Sequence, residues 1–195
     1  MSALQRDLQE ITSETVRMLS LVREQVQLAR SALVERDAAA AERCVEQDAA
    51  VDGLQETLEQ RILTAIARQQ PVAGDLRFLG AAYRALADIE RAGDYAVHVA
   101  ESGRLLAREE PVGRYRDKER ILELLDGMIE QTIAGIAESD AQVARQALEM
   151  DNEIDQLYEQ IQRQLLSYMI EDPETINRAT RLLSVARYLE RLGDH

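Results

Sequence analysis

The chain has 195 residues and a formal net charge of −13 at pH 7, with nine glycines, three prolines and no tryptophan. Ala, Leu, Glu, Gln and Arg dominate, whereas an all-β domain of this length needs more turns and more aromatic and β-branched residues. The negative charge argues against nucleic acid as a partner and against unaided docking on an anionic membrane.

The single cysteine, Cys44, excludes an intrachain disulfide and a zinc site built from cysteines. It falls near the apolar side of a predicted helix, which is typical of a small core or interface residue. The N-terminal segment does not resemble a signal peptide, and no apolar run is long enough to cross a membrane. We therefore expect a cytoplasmic protein without direct membrane insertion.

Apolar residues recur at three- and four-residue spacing over residues 4–33, which predicts a long amphipathic helix. Ser2 and Gln5 have the spacing of a capping box at its start. Asp37 is the expected N-cap of a second helix that ends near Gln69.

Pro71 and Gly74 separate the second helix from a third, which is predicted over residues 75–108. Pro111 and Gly113 mark the next break in the helical pattern.

The second half of the chain also contains three predicted helices. The fourth covers residues 117–138, and the fifth covers residues 141–170 with Ser139 and Asp140 as candidate caps. Asp172–Pro173 places a proline at the first turn of the sixth helix. Six helices with short joints predict an all-α fold.

The second half repeats the first. Residues 32–54 repeat at an offset of 103 residues, and residues 88–94 repeat at an offset of 100 residues. The difference falls in a joint between helices, where a change in length is tolerated. The sequence therefore predicts two tandem three-helix bundles related by duplication and similar to spectrin repeats, at residues 1–110 and 114–195, with the boundary near 109–116.

Superposition of the repeats aligns four acidic pairs, each with its carboxylates at i and i+4 on one helical face beside the apolar stripe. The pairs are Asp48/Asp52, Glu90/Asp94, Asp151/Asp155 and Glu190/Asp194. An isolated pair of this kind is usually a solvated face, but the match between the repeats favours metal ligation. Two such helices packed together would gather four carboxylates, and oxygen-rich sites accept iron, manganese, magnesium or zinc.

Two further residue types accompany the acidic pairs. Gly93 and Gly193 lie in mid-helix, where each costs roughly 1 kcal/mol relative to alanine, so both indicate close approach of another group or close helix packing. His98 lies one turn beyond Asp94 and is a possible additional ligand. Because the sequence has no catalytic Ser/His/Asp or Cys/His set and no phosphate-binding glycine loop, we predict that the protein is not an enzyme.

The segments DIERAGD and YLERLGD, within residues 69–101 and 177–195, resemble the two copies of the hallmark segment of the PhoU family. The resemblance spans nearly the whole chain. It implies two three-helix bundles whose acid-x-x-x-Asp motifs hold metal ions, a role that falls on the eight acids of the four pairs. It also implies a negative regulator, commonly dimeric, that links the ATPase of a phosphate ABC transporter to a sensor histidine kinase and keeps the phosphate-starvation response off when phosphate is plentiful.

The sequence departs from the family pattern at two places. Tyr95 and His98 stand where the family usually has histidine and asparagine, which changes the expected ligand set. The chain ends at His195, inside the expected sixth helix, which indicates a truncated chain. Two other classes of function stay open: a metal-dependent enzyme or metal-storage bundle, and an interaction bundle without metal.

Overall fold

The computed structural model describes residues 2–113 and 116–195, apart from the side chain of Ala144. The described residues form six α-helices and one short 3-10 turn, with no strand, so the all-α prediction is confirmed. The helices are α1 Ala3–Val34, α2 Ala38–Gln69, α3 Ala73–Leu106, α4 Arg116–Glu138, α5 Ala141–Glu171 and α6 Ile176–Asp194.

Polar side chains begin several helices where the sequence predicts. The Oγ of Ser2 accepts a hydrogen bond from the backbone N–H of Gln5 at 3.1 Å, and the Gln5 side chain accepts one from the Ser2 N–H at 2.9 Å. This is the predicted capping box. Asp37 and Asp140 each accept hydrogen bonds from first-turn N–H groups of α2 and α5, which would otherwise lack partners.

The third helix differs from its predicted limits at both ends. It begins at Ala73, so that Asp75 lies within the first turn, where a carboxylate favours the positive end of the helix dipole. It ends at Leu106, where the Arg36 side chain donates hydrogen bonds to the carbonyls of Leu106 and Ala107 at 3.0 and 2.7 Å. These bonds satisfy carbonyls that a longer helix would use itself.

The joints of the second bundle are also defined by local geometry. Ser139 takes a left-handed conformation with φ of 54°, so Asp140 alone caps α5. The predicted proline of the sixth helix instead begins a 3-10 turn, Pro173–Thr175, that leads into α6. The predicted boundary near 109–116 includes Arg114 and Tyr115, which lie outside the described residues, and the limits of the two units stay a prediction.

The helices pack as two groups of three. Helices α1, α2 and α3 contact one another, as do α4, α5 and α6. Because α1 also packs on α4 and α3 on α6, the groups lie side by side and share one apolar core. Gly103 allows the closest approach of α3 to α1, since a Cβ there would lie 2.8 Å from backbone atoms of Ala32 and Leu33.

The contacts between helices reproduce the sequence repeat. A Cβ added to Gly93 would meet Val22, and one added to Gly193 would meet Leu125, which stands 103 residues after Val22. Equivalent glycines therefore face equivalent side chains. The duplication predicted from the sequence is present in the packing of the two bundles.

An ion pair joins equivalent positions of the two repeats where α1 meets α4. Arg23 donates from Nε and Nη2 to the two carboxylate oxygens of Asp126 at 2.9 and 2.8 Å, and Asp126 stands 103 residues after Arg23. Hydrogen bonding from Arg23 holds the pKa of Asp126 below its ordinary value. Equivalent positions of the two repeats thus meet where α1 packs on α4.

Candidate metal centres

The predicted acidic pairs lie at the margins of buried helix faces. On α3, Ile89 and Gly93 are buried on the inner face, whereas Glu90 and Asp94 are half-buried beside them. The same phase holds on α6, where Leu189 is fully buried next to a half-buried acid. The predicted placement beside the apolar stripe is therefore confirmed on α3 and for Glu190, whereas Asp52, Asp155 and Asp194 are exposed.

The acids of the first repeat form one acidic surface across the contact between α2 and α3. This first acidic cluster consists of Asp48, Asp52, Glu90 and Asp94. Burial, followed by the charges of the other three acids, raises the pKa of Glu90, and Arg91 opposes the shift. Burial and the charge of Asp48 likewise raise the pKa of Asp52. The charges of two α2 acids contribute to the shift of Glu90 on α3, so the two pairs lie near one another across this contact.

The second repeat contains the equivalent surface between α5 and α6. This second acidic cluster consists of Asp151, Asp155, Glu190 and Asp194. Burial raises the pKa of Asp151, and the charges of two other acids of the cluster add to the shift. Burial and neighbouring acids also raise the pKa of Glu190, whereas two arginines, one of them Arg187, oppose it. The equivalent position in the first repeat is Ala87, so Arg187 makes the second cluster less negative.

The donor chemistry of both clusters suits hard cations, although their side chains do not enclose a common point. Over residues 2–113 and 116–195, no three His, Cys, Asp or Glu side chains form a group close enough to hold one ion. Carboxylates repel one another, which favours spread side chains. All eight predicted ligands are carboxylates, which iron, manganese and magnesium bind through oxygen. The assignment of metal ligands stays a prediction.

His98 lies where α3 contacts α6. Its side chain is exposed, and its ring centroid lies 5.1 Å from that of Tyr188 and 6.4 Å from that of Tyr95. Tyr95 in turn stacks on His195, with ring centroids 5.8 Å apart and nearly parallel planes. Both residues that depart from the family pattern thus belong to an aromatic contact between the bundles, and the role of His98 as a ligand stays a prediction.

A buried side-chain amide donates a hydrogen bond to the first cluster, and the sequence did not predict it. Gln25 of α1 is wholly buried and donates from Nε2 to Oδ1 of Asp48 at 3.0 Å. Its Oε1 accepts no hydrogen bond from the described residues. The available signal was spacing: Gln25 falls three residues after Val22 and four before Ala29, which places it on the buried face of α1.

The two mid-helix glycines face different surroundings. A Cβ on Gly93 would lie 2.9 Å from Oε1 of Gln25, so the predicted close approach is confirmed there. At Gly193 the nearest atoms would lie at 3.4 to 3.5 Å, an ordinary contact distance, which agrees with the alternative prediction of close helix packing. The side chains around Gly193 are those of Ile154, Leu125 and Asp151, and the second repeat has Met128 where the first has Gln25.

The PhoU domain family matches residues 15–103 and 119–195, one copy in each bundle. The chain belongs to the PhoU family. The homolog from Deinococcus radiodurans, a phosphate-specific transport system accessory protein, is 40% identical over 193 residues, which are 99% of this chain and 91% of that protein. The homolog from Aquifex aeolicus bears the same description and is 35% identical over 95% of this chain and 84% of that protein.

Solved PhoU structures have the same architecture. The crystal structure of PhoU from Pseudomonas aeruginosa superposes with a TM-score of 0.93 at 31% identity, over 98% of this chain and 92% of that chain. The phosphate transport system regulatory protein PhoU from Streptococcus pneumoniae superposes with a TM-score of 0.89 at 25% identity, over 98% of this chain and 90% of that chain. The prediction of a duplicated PhoU fold is confirmed.

The matched PhoU domains contain both acidic clusters. The first match includes all four acids from Asp48 to Asp94, and the second includes all four from Asp151 to Asp194. None of the helices in the described part of the chain has an apolar stretch long enough to cross a membrane.

Proposed function

We propose that this PhoU-family protein is a non-enzymatic negative regulator of phosphate uptake. The PhoU match in both bundles is the observation that carries the proposal. Relatives that align with nearly the whole chain are described as accessory proteins of the phosphate-specific transport system, which supports a role in phosphate transport. In this role the protein acts in the cytoplasm, as a homodimer, and keeps the phosphate-starvation response off when phosphate is plentiful.

The proposed partners are the ATPase of a phosphate ABC transporter and a sensor histidine kinase. The protein acts as an adaptor between them and does not turn over a substrate. Its net charge of −13 favours protein partners with basic surfaces over nucleic acid. The description of the Streptococcus pneumoniae relative as a regulatory protein supports this role.

Metal binding by the two acidic clusters is part of the proposal. The eight carboxylates would hold iron, manganese, magnesium or zinc, and a bound cation supplies positive charge where the acids repel one another. The raised pKa values of Glu90 and Glu190 support this assignment, because neighbouring acids contribute to both shifts. On this view the side chains of α2, α3, α5 and α6 place the ions at the bundle surfaces.

A pull-down combined with metal analysis tests the proposal. We expect the wild-type protein, purified without chelator, to carry metal and to retain the transporter ATPase and the histidine kinase. Asp52→Ala/Glu90→Ala should lose part of the metal and retain the partners less well. Glu42→Ala/Glu46→Ala is the matched control, because it removes two exposed acids at the same spacing from α2 outside the cluster.

Three outcomes would contradict separate parts of the proposal. A wild-type protein that retains neither partner would rule out the adaptor role. A protein that purifies without metal would rule out the ligand assignment. Phosphatase or oxidase turnover that disappears in Asp52→Ala would instead support the metal-dependent enzyme that the sequence left open.

A further inference from the structure

The two acidic clusters differ at one equivalent position of the repeats, which is Gln25 in the first repeat and Met128 in the second. In the first, Gln25 is fully buried between α2 and α3, with Nε2 bonded to Asp48 and Oε1 close to Gly93. In the second, the equivalent residue is Met128, whose side chain has no N–H donor. The acidic pairs repeat at equivalent positions, but the buried amide that donates a hydrogen bond to the first cluster has no equivalent in the second.

The amide of Gln25 restricts the carboxylate of Asp48. Its hydrogen bond occupies one acceptor site of Oδ1, which leaves the remaining acceptor sites of the carboxylate free for a cation. Such bonds from outside the ligand set fix the orientation of a ligating carboxylate before the ion arrives, and their removal typically lowers metal affinity about 10- to 100-fold. In the second cluster, Asp151 Oδ1 instead leans towards α6, 3.5 Å from where a Cβ on Gly193 would lie.

Stability does not account for an amide at this position. Oε1 of Gln25 is buried without a hydrogen-bond partner among the described residues, and a buried unpaired acceptor destabilises a fold. Met128, at the equivalent position of the second repeat, is an apolar and half-buried side chain, so the repeat does not require an amide there. The glycine at position 93 also accommodates Gln25, because a Cβ there would lie 2.9 Å from Oε1.

We infer that Gln25 is a positioning residue that makes the first acidic cluster the tighter of two inequivalent cation sites. The inference rests on the proposed metal binding and adds an order of affinity to it, because a buried amide orients Asp48 and the equivalent Met128 offers no such donor to the second cluster. Arg187, which opposes negative charge only in the second cluster, acts in the same direction.

Calorimetric titration with Mn²⁺ tests this on the full chain. Asp151→Asn/Glu190→Gln isolates the first cluster, and Asp48→Asn/Glu90→Gln isolates the second. We expect the isolated first cluster to bind Mn²⁺ more tightly, and Gln25→Met to weaken it by about tenfold or more. Melting in chelator should give Gln25→Met an unchanged or higher Tm than its parent, which a merely structural glutamine would not.

Thr15→Val is the control for loss of a buried polar group. Thr15 lies on the same helix and its Oγ1 donates to the carbonyl of Ile11, away from the acids. Its affinity for Mn²⁺ should match the parent. Unchanged affinity in Gln25→Met, or a loss that Thr15→Val reproduces, would overturn the inference while leaving metal binding intact. No Mn²⁺ binding by the wild-type chain would overturn both the inference and the metal part of the proposed function.

Discussion

The two bundles share their helix order and their acidic motifs, but they differ in the polar groups that they bury. The first buries Thr15 and Gln25, whereas the second has Lys118 and Met128 at the equivalent positions. The acids at the surface have therefore been retained in both copies while the interior beneath them changed. The acidic pairs thus repeat between the bundles, whereas the polar side chains Thr15 and Gln25 do not.

Lys118 provides the largest expected difference between the bundles. It is 2% exposed, and burial lowers its pKa from 10.5 to about 8. Since the folded protein releases this proton at lower pH than the unfolded chain, the contribution of Lys118 to stability increases as pH rises from about 8 towards 10.5. Between pH 7 and 10, the unfolding free energy of the wild type should rise by about 2 kcal/mol relative to Lys118→Met.

Urea unfolding at several pH values measures this difference. The other ionisable groups are common to both proteins, so the comparison isolates the contribution of Lys118. Thr15→Val, at the equivalent place in the first bundle, should differ from the wild type by an amount that does not change with pH. If the unfolding free energies of Lys118→Met and of the wild type changed with pH by the same amount, the burial of Lys118 would not distinguish the bundles.

The two glycines give the next largest contrast. Alanine should stabilise α6 at position 193 by less than about 1 kcal/mol, because helix propensity improves only partly in the last turn and the new Cβ meets neighbours at ordinary distance. At position 93 the same gain is offset, because Oε1 of Gln25 must move away from a Cβ only 2.9 Å distant.

Thermal unfolding of Gly93→Ala and Gly193→Ala in chelator compares the two sites directly. Gly93→Ala/Gln25→Met removes the opposing oxygen and should recover the gain seen at position 193. If Gly93→Ala alone were as stabilising as Gly193→Ala, the contact between Gln25 and α3 would not constrain the first bundle.

Much of the fold follows from local sequence signals. Ser2, Asp37 and Asp140 mark helix starts because their side chains bond to N–H groups within the next three residues, an interaction that needs no distant partner. The duplication could also be predicted, since equivalent residues repeat at fixed offsets. The limits of α3 were less accurate because Arg36, on a different part of the chain, ends that helix.

The two acidic clusters could be predicted from the sequence, but the buried hydrogen bond from Gln25 to the first cluster could not. Spacing at i and i+4 puts two carboxylates on one side of a helix, and packing of neighbouring helices then brings the pairs together. The inward orientation of Gln25 depends on the space beside Gly93 on another helix, which periodicity along α1 does not contain. The arrangement of ligands around an ion likewise depends on the ion, because repelling carboxylates spread without it.

The smallest expected contrast lies in the charge of the acidic clusters themselves. The pKa of Glu90 is raised by burial and three acids against Arg91, whereas that of Glu190 is raised by burial and two acids against two arginines. A raised carboxyl pKa means that the folded state takes up its proton before the unfolded chain does. In chelator, these groups therefore increase stability as pH falls from 7 towards their ordinary value of 4.5.

Replacing Glu90 or Glu190 by glutamine removes the pH dependence of stability that this carboxyl group causes. It also removes the repulsion between this group and the neighbouring carboxylates. At pH 7 we expect Glu90→Gln to raise the Tm by about 1 °C, since like charges one turn apart cost a few tenths of a kcal/mol, and Glu190→Gln to raise it less. Both gains should disappear near pH 4.5, where the wild-type acids are themselves protonated. Equal gains at pH 7 would show that Arg187 leaves the two clusters alike, and the order of metal affinity would then depend on Gln25 alone.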